Sequence, residues 1–161
     1  MSDLFSEALQ ALAAWPGAVL LRRSSLAYLL VNAAHIASIG LIIGAIVPLD
    51  LRLLGIFRRH PLAVLAPFLS RIAATGVALA VLTGVLLFSV RPAEYVGNPA
   101  FLTKIGLVGI GVANALLLRR WSSWRVAAAD GPVHPAVRAA AALSLLVWLG
   151  AIVAGRWIGF L

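Results

Sequence analysis

The chain has 161 residues, 63% of them hydrophobic and 11% charged, with a formal net charge of +8 and no cysteine. A soluble domain carries about 45–50% apolar and about 25% charged residues, so a water-soluble globule is excluded, and with it the soluble enzyme classes. The missing cysteines remove disulfides, thiolate metal sites and nucleophilic thiols, and the basic residues sit at the ends of apolar runs instead of clustering as a nucleic-acid binder requires; lipid headgroups and topology signals account for them.

Asp3 and Glu7 stand where a signal peptide would be positive, and Arg22 and Arg23 follow the apolar part instead of preceding it, so the N-terminus reads as retained. Ser2 or Asp3 caps a helix over about 3–15 that brings Leu4, Phe5, Ala8, Ala11, Leu12 and Trp15 near one face, the pattern of an interfacial amphipathic helix. A first span runs over about 25–47 and leaves the hydrocarbon at the Pro48-Leu49-Asp50 turn. A second covers about 62–90 and closes at Arg91-Pro92. After the turn Gly97-Asn98-Pro99 a third covers about 100–118, stopping at Arg119-Arg120-Trp121, and after Asp130-Gly131-Pro132 a fourth covers about 136–158. Each is long enough for a hydrocarbon core of about 30 Å. The expected fold is therefore all-α: a single membrane domain over 1–161, an integral four-helix bundle with a short N-terminal interfacial helix.

Arg52, Arg58, Arg59, Arg71, Arg119, Arg120, Arg125 and Arg138 fall on one side, against Arg22, Arg23, Arg91, Lys104 and Arg156 on the other. The positive-inside rule then puts both termini outside the cytoplasm. Trp15, Tyr28, Tyr95 and Trp157 on the outer side, with Trp121 and Trp124 on the inner, fit interfacial aromatic belts. Small residues suggest packing faces: Gly40 and Gly44 in the first span, Gly76, Ala80 and Gly84 in the second, and Gly106, Gly109 and Gly111 in the third.

Ionisable groups inside hydrocarbon cost at least about 2.5 kcal/mol on insertion scales and call for a partner or a purpose. His35 lies about 15 Å into the first span, and Tyr28, Asn32, His35 and Ser38 draw a polar stripe along the helix with the glycine pair pointing the other way. That arrangement expects the helix to pack on its glycine face and present chemistry on the other. His35 is either a neutral histidine bonded to a neighbouring helix or a ligand or proton-handling group. Lys104 sits a turn into the third span and shares a face with Gly111, with Asn114 further along; its ammonium either snorkels to the interface or awaits an anionic group. Arg156 closes the fourth span at the same level. An imidazole on iron, an apolar slot for the macrocycle and cations for the propionates are what haem b requires, so the cofactor-binding candidates are His35, Lys104, Arg156, Asn32 and Ser38, with His35 on the iron. His60 and His134 fall in or beside the inner loops and the sole methionine is Met1, so a haem here is five-coordinate, ligated by a less usual group or shared between subunits. At the inner boundary Asp50, Arg52 and Arg71 suggest an ion pair joining the first two spans, with a proton or substrate entrance as the alternative.

The stretches His35-Ile-Ala-Ser-Ile-Gly40, Pro48-Leu-Asp-Leu-Arg52, Phe68-Leu-Ser, Thr83-Gly84 and Thr103-Lys104-Ile-Gly-Leu-Val, followed by Asn114 and the closing Gly155-Arg156, resemble the CopD/HemJ-like superfamily of small bacterial membrane proteins. The layout is most similar to an uncharacterised member group. The resemblance covers the four spans and implies a multi-pass protein of the bacterial inner membrane. It matches His35 to the first-helix histidine associated with haem in HemJ-type protoporphyrinogen oxidases and Lys104 to their third-helix lysine, whereas the span lengths and the long N-terminus depart from HemJ. Copper transport, the other activity the superfamily implies, lacks the soft sulfur ligands Cu(I) prefers. The reading that results is a haem b-binding membrane protein with a redox role; the alternative is a non-enzymatic membrane subunit, structural or metal-handling, without a prosthetic group. Lipids are its expected surroundings, with a homodimer or another membrane protein as partner and no nucleic acid. Proton-coupled solute transport is a third reading, and with four spans and no internal repeat it would need a dimer.

Overall fold

A computed structural model describes residues 2–160, with side chains from Leu4 onward; the expected cap at Ser2 or Asp3 lies outside these described side chains. The helices are α1 (Ser2–Ala14), α2 (Pro16–Arg23), α3 (Ser25–Leu54), α4 (Leu62–Val90), α5 (Pro92–Gly97), α6 (Pro99–Arg120), α7 (Ser122–Ala128) and α8 (Pro135–Trp157), which runs into a 3-10 turn at Ile158–Phe160. Four of them, α3, α4, α6 and α8 with its 3-10 turn, are long and apolar enough to cross a membrane. Ile36, Leu82, Leu116 and Leu146 are 58–72% exposed, and outward faces this apolar are stable against lipid and not against water. The all-α membrane bundle is as composition requires.

Local chemistry sets the ends of the elements. α1 matches the helix expected over about 3–15; Pro16 then drives Trp15 into extended geometry and starts a second short helix, α2, at 59° to the first, which is not among the expected elements. Leu4 and Phe5 of α1 stay exposed, while α2 buries Ala18 and Leu21, and the Arg22 guanidinium donates to the carbonyls of Val90 and Ala13. The Ser24 hydroxyl caps α3 by accepting from the Ala27 N–H. Asn98 Oδ1 caps α6, with Pro99 at the first helical position, and His134 Nδ1 does the same for α8 ahead of Pro135. Across the chain, Asp130 Oδ1 accepts the N–H groups of Leu62 and Ala63 at the start of α4.

The first span runs further than its proline suggests. α3 continues through Pro48 and ends at Leu54, where Gly55 at φ 102° closes a Schellman turn with Ile56 N–H on the Leu51 carbonyl and Gly55 N–H on that of Arg52. A proline inside a membrane helix forfeits one hydrogen bond and is tolerated where neighbouring helices hold the segment.

The spans pack as two pairs, α3 with α4 and α6 with α8, joined through α3 and α8. The face α3 turns inward carries Ser38, Ile42, Ala45, Leu49 and Leu53, spaced by three and four residues. A Cβ added at Gly76 would meet Ile42 Cγ1 at 2.9 Å and the Ile42 nitrogen and Ser38 carbonyl at 3.0 Å, so Gly76 is what lets the backbones of α3 and α4 approach. Gly40 and Gly44 have nothing within 4 Å. The expected division of α3 is therefore reversed: its glycine face looks outward and its His35–Ser38 side packs, because Ile42, Leu49 and Leu53 offer dispersion contacts that two glycines cannot. On α6 the inward positions Lys104, Leu107, Gly111, Asn114 and Leu118 recur at alternating three and four. Gly111 accommodates the Trp148 indole of α8, and the Asn114 amide donates to the Ala140 carbonyl at 3.0 Å. Gly106 and Gly109 make no such contact.

One end of the bundle bears the termini; the other, the arginine-rich end, holds the loops after α3 and α6. Leu49, Leu53, Leu62, Ala66, Leu118, Val137, Ala140 and Ala141 form a dense apolar core near the arginine-rich end. Towards the terminal end, Phe88 of α4 and Phe101 of α6 stack at 5.4 Å and 9°, with Tyr95 of α5 against both.

Candidate functional site

His35 projects from α3 onto α4, half-buried, below the Phe88–Phe101–Tyr95 cluster. Its Nδ1 lies 2.9 Å from Thr83 Oγ1. The single hydroxyl proton of Thr83 is given to the Leu79 carbonyl at 2.6 Å, as threonines in helices commonly do, so the oxygen is left as an acceptor and His35 Nδ1 is the donor. In the neutral ring this hydrogen-bond network assigns the proton to Nδ1, and the Ala80 carbonyl also lies within hydrogen-bonding reach of the ring. Gly84 allows the approach: a Cβ there would stand 3.3 Å from His35 Cε1.

Lys104 reaches the same region from α6. Its Cδ and Cε rest 3.4 Å from the position of a Gly155 Cβ, so the α8 backbone carries the stem of the side chain. Its ammonium is near enough to interact electrostatically with His35, and among the described residues it has no ion pair and no hydrogen bond; the one salt bridge there joins Arg91 to Glu94 at 3.4 Å on the surface. A cation and an imidazole are thus within electrostatic reach of each other, His35 from the α3–α4 pair and Lys104 from the α6–α8 pair.

The remaining candidates lie apart from this pair. Asn32 is exposed on α3. Ser38 is buried, its hydroxyl spent on the Ala34 carbonyl at 2.7 Å, and it backs Gly76. Arg156 is at the Lys104 level, next to Gly155, but its guanidinium stacks over the Phe160 ring at 4.7 Å. Tyr28 completes the stripe by bonding to Tyr95, whose phenol is held above the ordinary tyrosine range first by burial and then by Tyr28. Thr83, the residue that orients His35, is legible in the sequence only as a polar position beside Gly84 on the small-residue face of α4.

The expected ion pair at the arginine-rich end does not form. Arg52 Nε donates to the His60 carbonyl at 2.7 Å, Arg71 is exposed, and Asp50 turns towards Ser144 of α8. Asp50 is 5% exposed and its Oδ2 has no hydrogen-bond partner. Reach explains the difference, since Asp50 is on the α8 side of α3 whereas Arg71 is on the outward face of α4.

Among the described residues no three histidines, cysteines or acids come together as a metal site. A lone imidazole can therefore hold only a metal that arrives with its other ligands already in place, as iron does in a macrocycle. His60 is exposed in a loop and His134 is engaged as a helix cap, so neither supplies a second axial nitrogen to His35. No family model, curated protein or solved structure matches the chain.

Proposed function

We propose that the chain is a haem b-binding membrane protein with a redox role, with His35 Nε2 as the iron ligand and Lys104 pairing a propionate. The observation that carries this reading is the fixed order Leu79 carbonyl, Thr83 hydroxyl, His35 Nδ1–H, because a histidine whose far nitrogen is pinned by a hydrogen bond presents its other nitrogen in the tautomer a metal needs. The unpaired Lys104 ammonium and the lipid-facing apolar helices suit an amphiphilic ligand with an anionic edge. Such a group would supply one-electron chemistry; His35 would hold it, Thr83 would orient the imidazole, and Lys104 would neutralise the anionic edge. Arg156, at the same level, is the second cation available to such an edge once it leaves Phe160. On this reading the chain belongs with the CopD/HemJ-like superfamily in the bacterial inner membrane, with the arginine-rich end in the cytoplasm and both termini outside.

Purification in mild detergent and an absorption spectrum after haem supply test the reading. A Soret band that His35→Ala loses is expected; a wild-type protein that stays colourless ends it. A non-enzymatic membrane subunit is the second reading. It is favoured by two open surface clefts, one at the α7–α8 loop and one between α1 and α5, neither of which includes His35. A stable co-purifying partner with no prosthetic group would establish it.

A further inference from the structure

We propose that Asp50 is a reversible proton-binding site, a carboxylic acid in the α3–α8 seam that exchanges its proton with the arginine-rich end of the bundle. The inference stands on that seam alone and does not depend on haem at His35.

Asp50 is 5% exposed within a membrane-spanning helix, and one of its oxygens has no partner. The polar group that reaches it is Ser144 of α8. One turn along α8 the Trp148 indole N–H, packed on Gly111 of α6, is also buried without a partner. No charge compensates the carboxyl. On its own helix Arg52 is committed to the His60 carbonyl. From α4, Leu62 and Ala66 face the core and Arg71 is exposed. From α6, Leu118 is apolar and the Asn114 amide is given to Ala140. Asp130 is spent on the start of α4, His134 on the start of α8, and α2 lies at the other end of α3.

An ionised carboxylate so placed would be a buried charge without a counter-ion, the least favourable arrangement an interior offers. Two ligands could remove the charge. A hard metal cation needs about six oxygens, and Asp50 with Ser144 supplies three. A proton needs one lone pair. The geometry therefore selects the proton, with Ser144 free to donate to one carboxyl oxygen while the other carries the hydrogen.

Exchange requires that the carboxyl reach water, and the nearer end of α3 is close. Asp50 is five residues from Gly55, about 7.5 Å at 1.5 Å per residue. Pro48, two residues before it, has no N–H, so the helix is released there from one of its own hydrogen bonds and can bend without breaking others. In the release step the O–H bond breaks, the electron pair stays on the carboxylate oxygen, and the proton passes to water at the arginine-rich end; uptake is the reverse.

Infrared spectroscopy of the full chain in lipid nanodiscs, with aspartate labelled by carbon-13 at its side-chain carboxyl, tests the proposal. The other aspartates are Asp3 and Asp130, and Asp130 is exposed, so a labelled neutral-acid C=O band at neutral pH reports Asp50. The band is expected in wild type, absent in Asp50→Asn and at a higher frequency in Ser144→Ala. On transfer to heavy water it should shift within the mixing time. No labelled neutral-acid band in the wild type overturns the proposal, and so does survival of that band in Asp50→Asn. A band that stays unshifted in heavy water overturns the exchange and leaves a sealed, structural acid. Because the wild type alone decides the first and last outcomes, a variant that fails to fold does not obscure the result.

Discussion

Replacing Gly76 with alanine separates the packing face of α3 from its lipid face. The new Cβ would stand 2.9 Å from Ile42 Cγ1 and 3.0 Å from two backbone atoms, the Ile42 nitrogen and the Ser38 carbonyl oxygen, whereas carbon contacts settle at about 3.5–4.0 Å. The α3–α4 seam must therefore open by about half an ångström. Overpacking of this kind costs about 1–3 kcal/mol, and the better helix propensity of alanine returns up to about 1 kcal/mol. Gly44→Ala gains the same propensity and meets nothing within 4 Å, so propensity cancels in the comparison and Gly76→Ala should be the less stable by about 1–3 kcal/mol. Because two of the three close atoms are backbone, adding Ile42→Ala should not rescue Gly76→Ala. Unfolding by sodium dodecyl sulfate from mixed micelles, followed by tryptophan fluorescence, measures the difference. Equal stability of the two alanine variants would refute the assignment of faces, and a larger loss at Gly44 would reverse it.

Thr83→Val removes the acceptor that holds His35 Nδ1 while keeping the side-chain shape; if His35 is an iron ligand, haem affinity should fall by about 10- to 100-fold, the usual range for such orienting partners, and Thr83→Ser should restore it. An unchanged titration of the apoprotein with haem would detach Thr83 from the site. Tyr95, in α5 outside the spans, has its phenol raised by burial and by Tyr28. A folded value above the unfolded one means that its contribution to stability is complete below the unfolded tyrosine value of about 10 and is lost as pH climbs through the folded value. Ultraviolet titration should show a late-ionising phenol that Tyr95→Phe removes; a single early transition from both tyrosines would contradict this.

Much of the fold was legible because hydrocarbon imposes a length. The boundaries of α4 coincide with the expected 62–90, and those of α6 and α8 lie within two residues of expectation, since asparagine, histidine and proline at their starts are local signals. Pro48 misled because the rule that proline stops a helix is a rule for water, where frayed ends are solvated; inside a bundle continuing the helix costs less than exposing its backbone. The two glycine faces of α3 and α4 read alike in sequence, and only the choice of partner surface distinguishes Gly76, which is packed, from Gly44, which is not. His35 and Lys104 were visible as rare intramembrane ionisable residues. Thr83 entered only through the Thr83-Gly84 pair and Ser144 not at all, because a hydroxyl in an apolar helix so often bonds its own backbone that its type alone does not reveal a partner on another helix. The Asp50 contact was assigned to the wrong helix for a similar reason: charge suggests arginine, and the angular position on α3 decides for α8.

The pairing of α3 with α4 and of α6 with α8 matches the order in which a ribosome delivers them. Each pair is a helical hairpin of neighbouring spans, and each completes its tightest seam, Gly76 on Ile42 in one and Gly111 on Trp148 in the other, without help from the other pair. The first hairpin can therefore dock while the second is still being synthesised, and the α3–α8 seam, which brings Asp50 against Ser144, is the last to form. Until the final span arrives, the Asp50 carboxyl therefore lacks the Ser144 hydroxyl that meets it in the finished bundle.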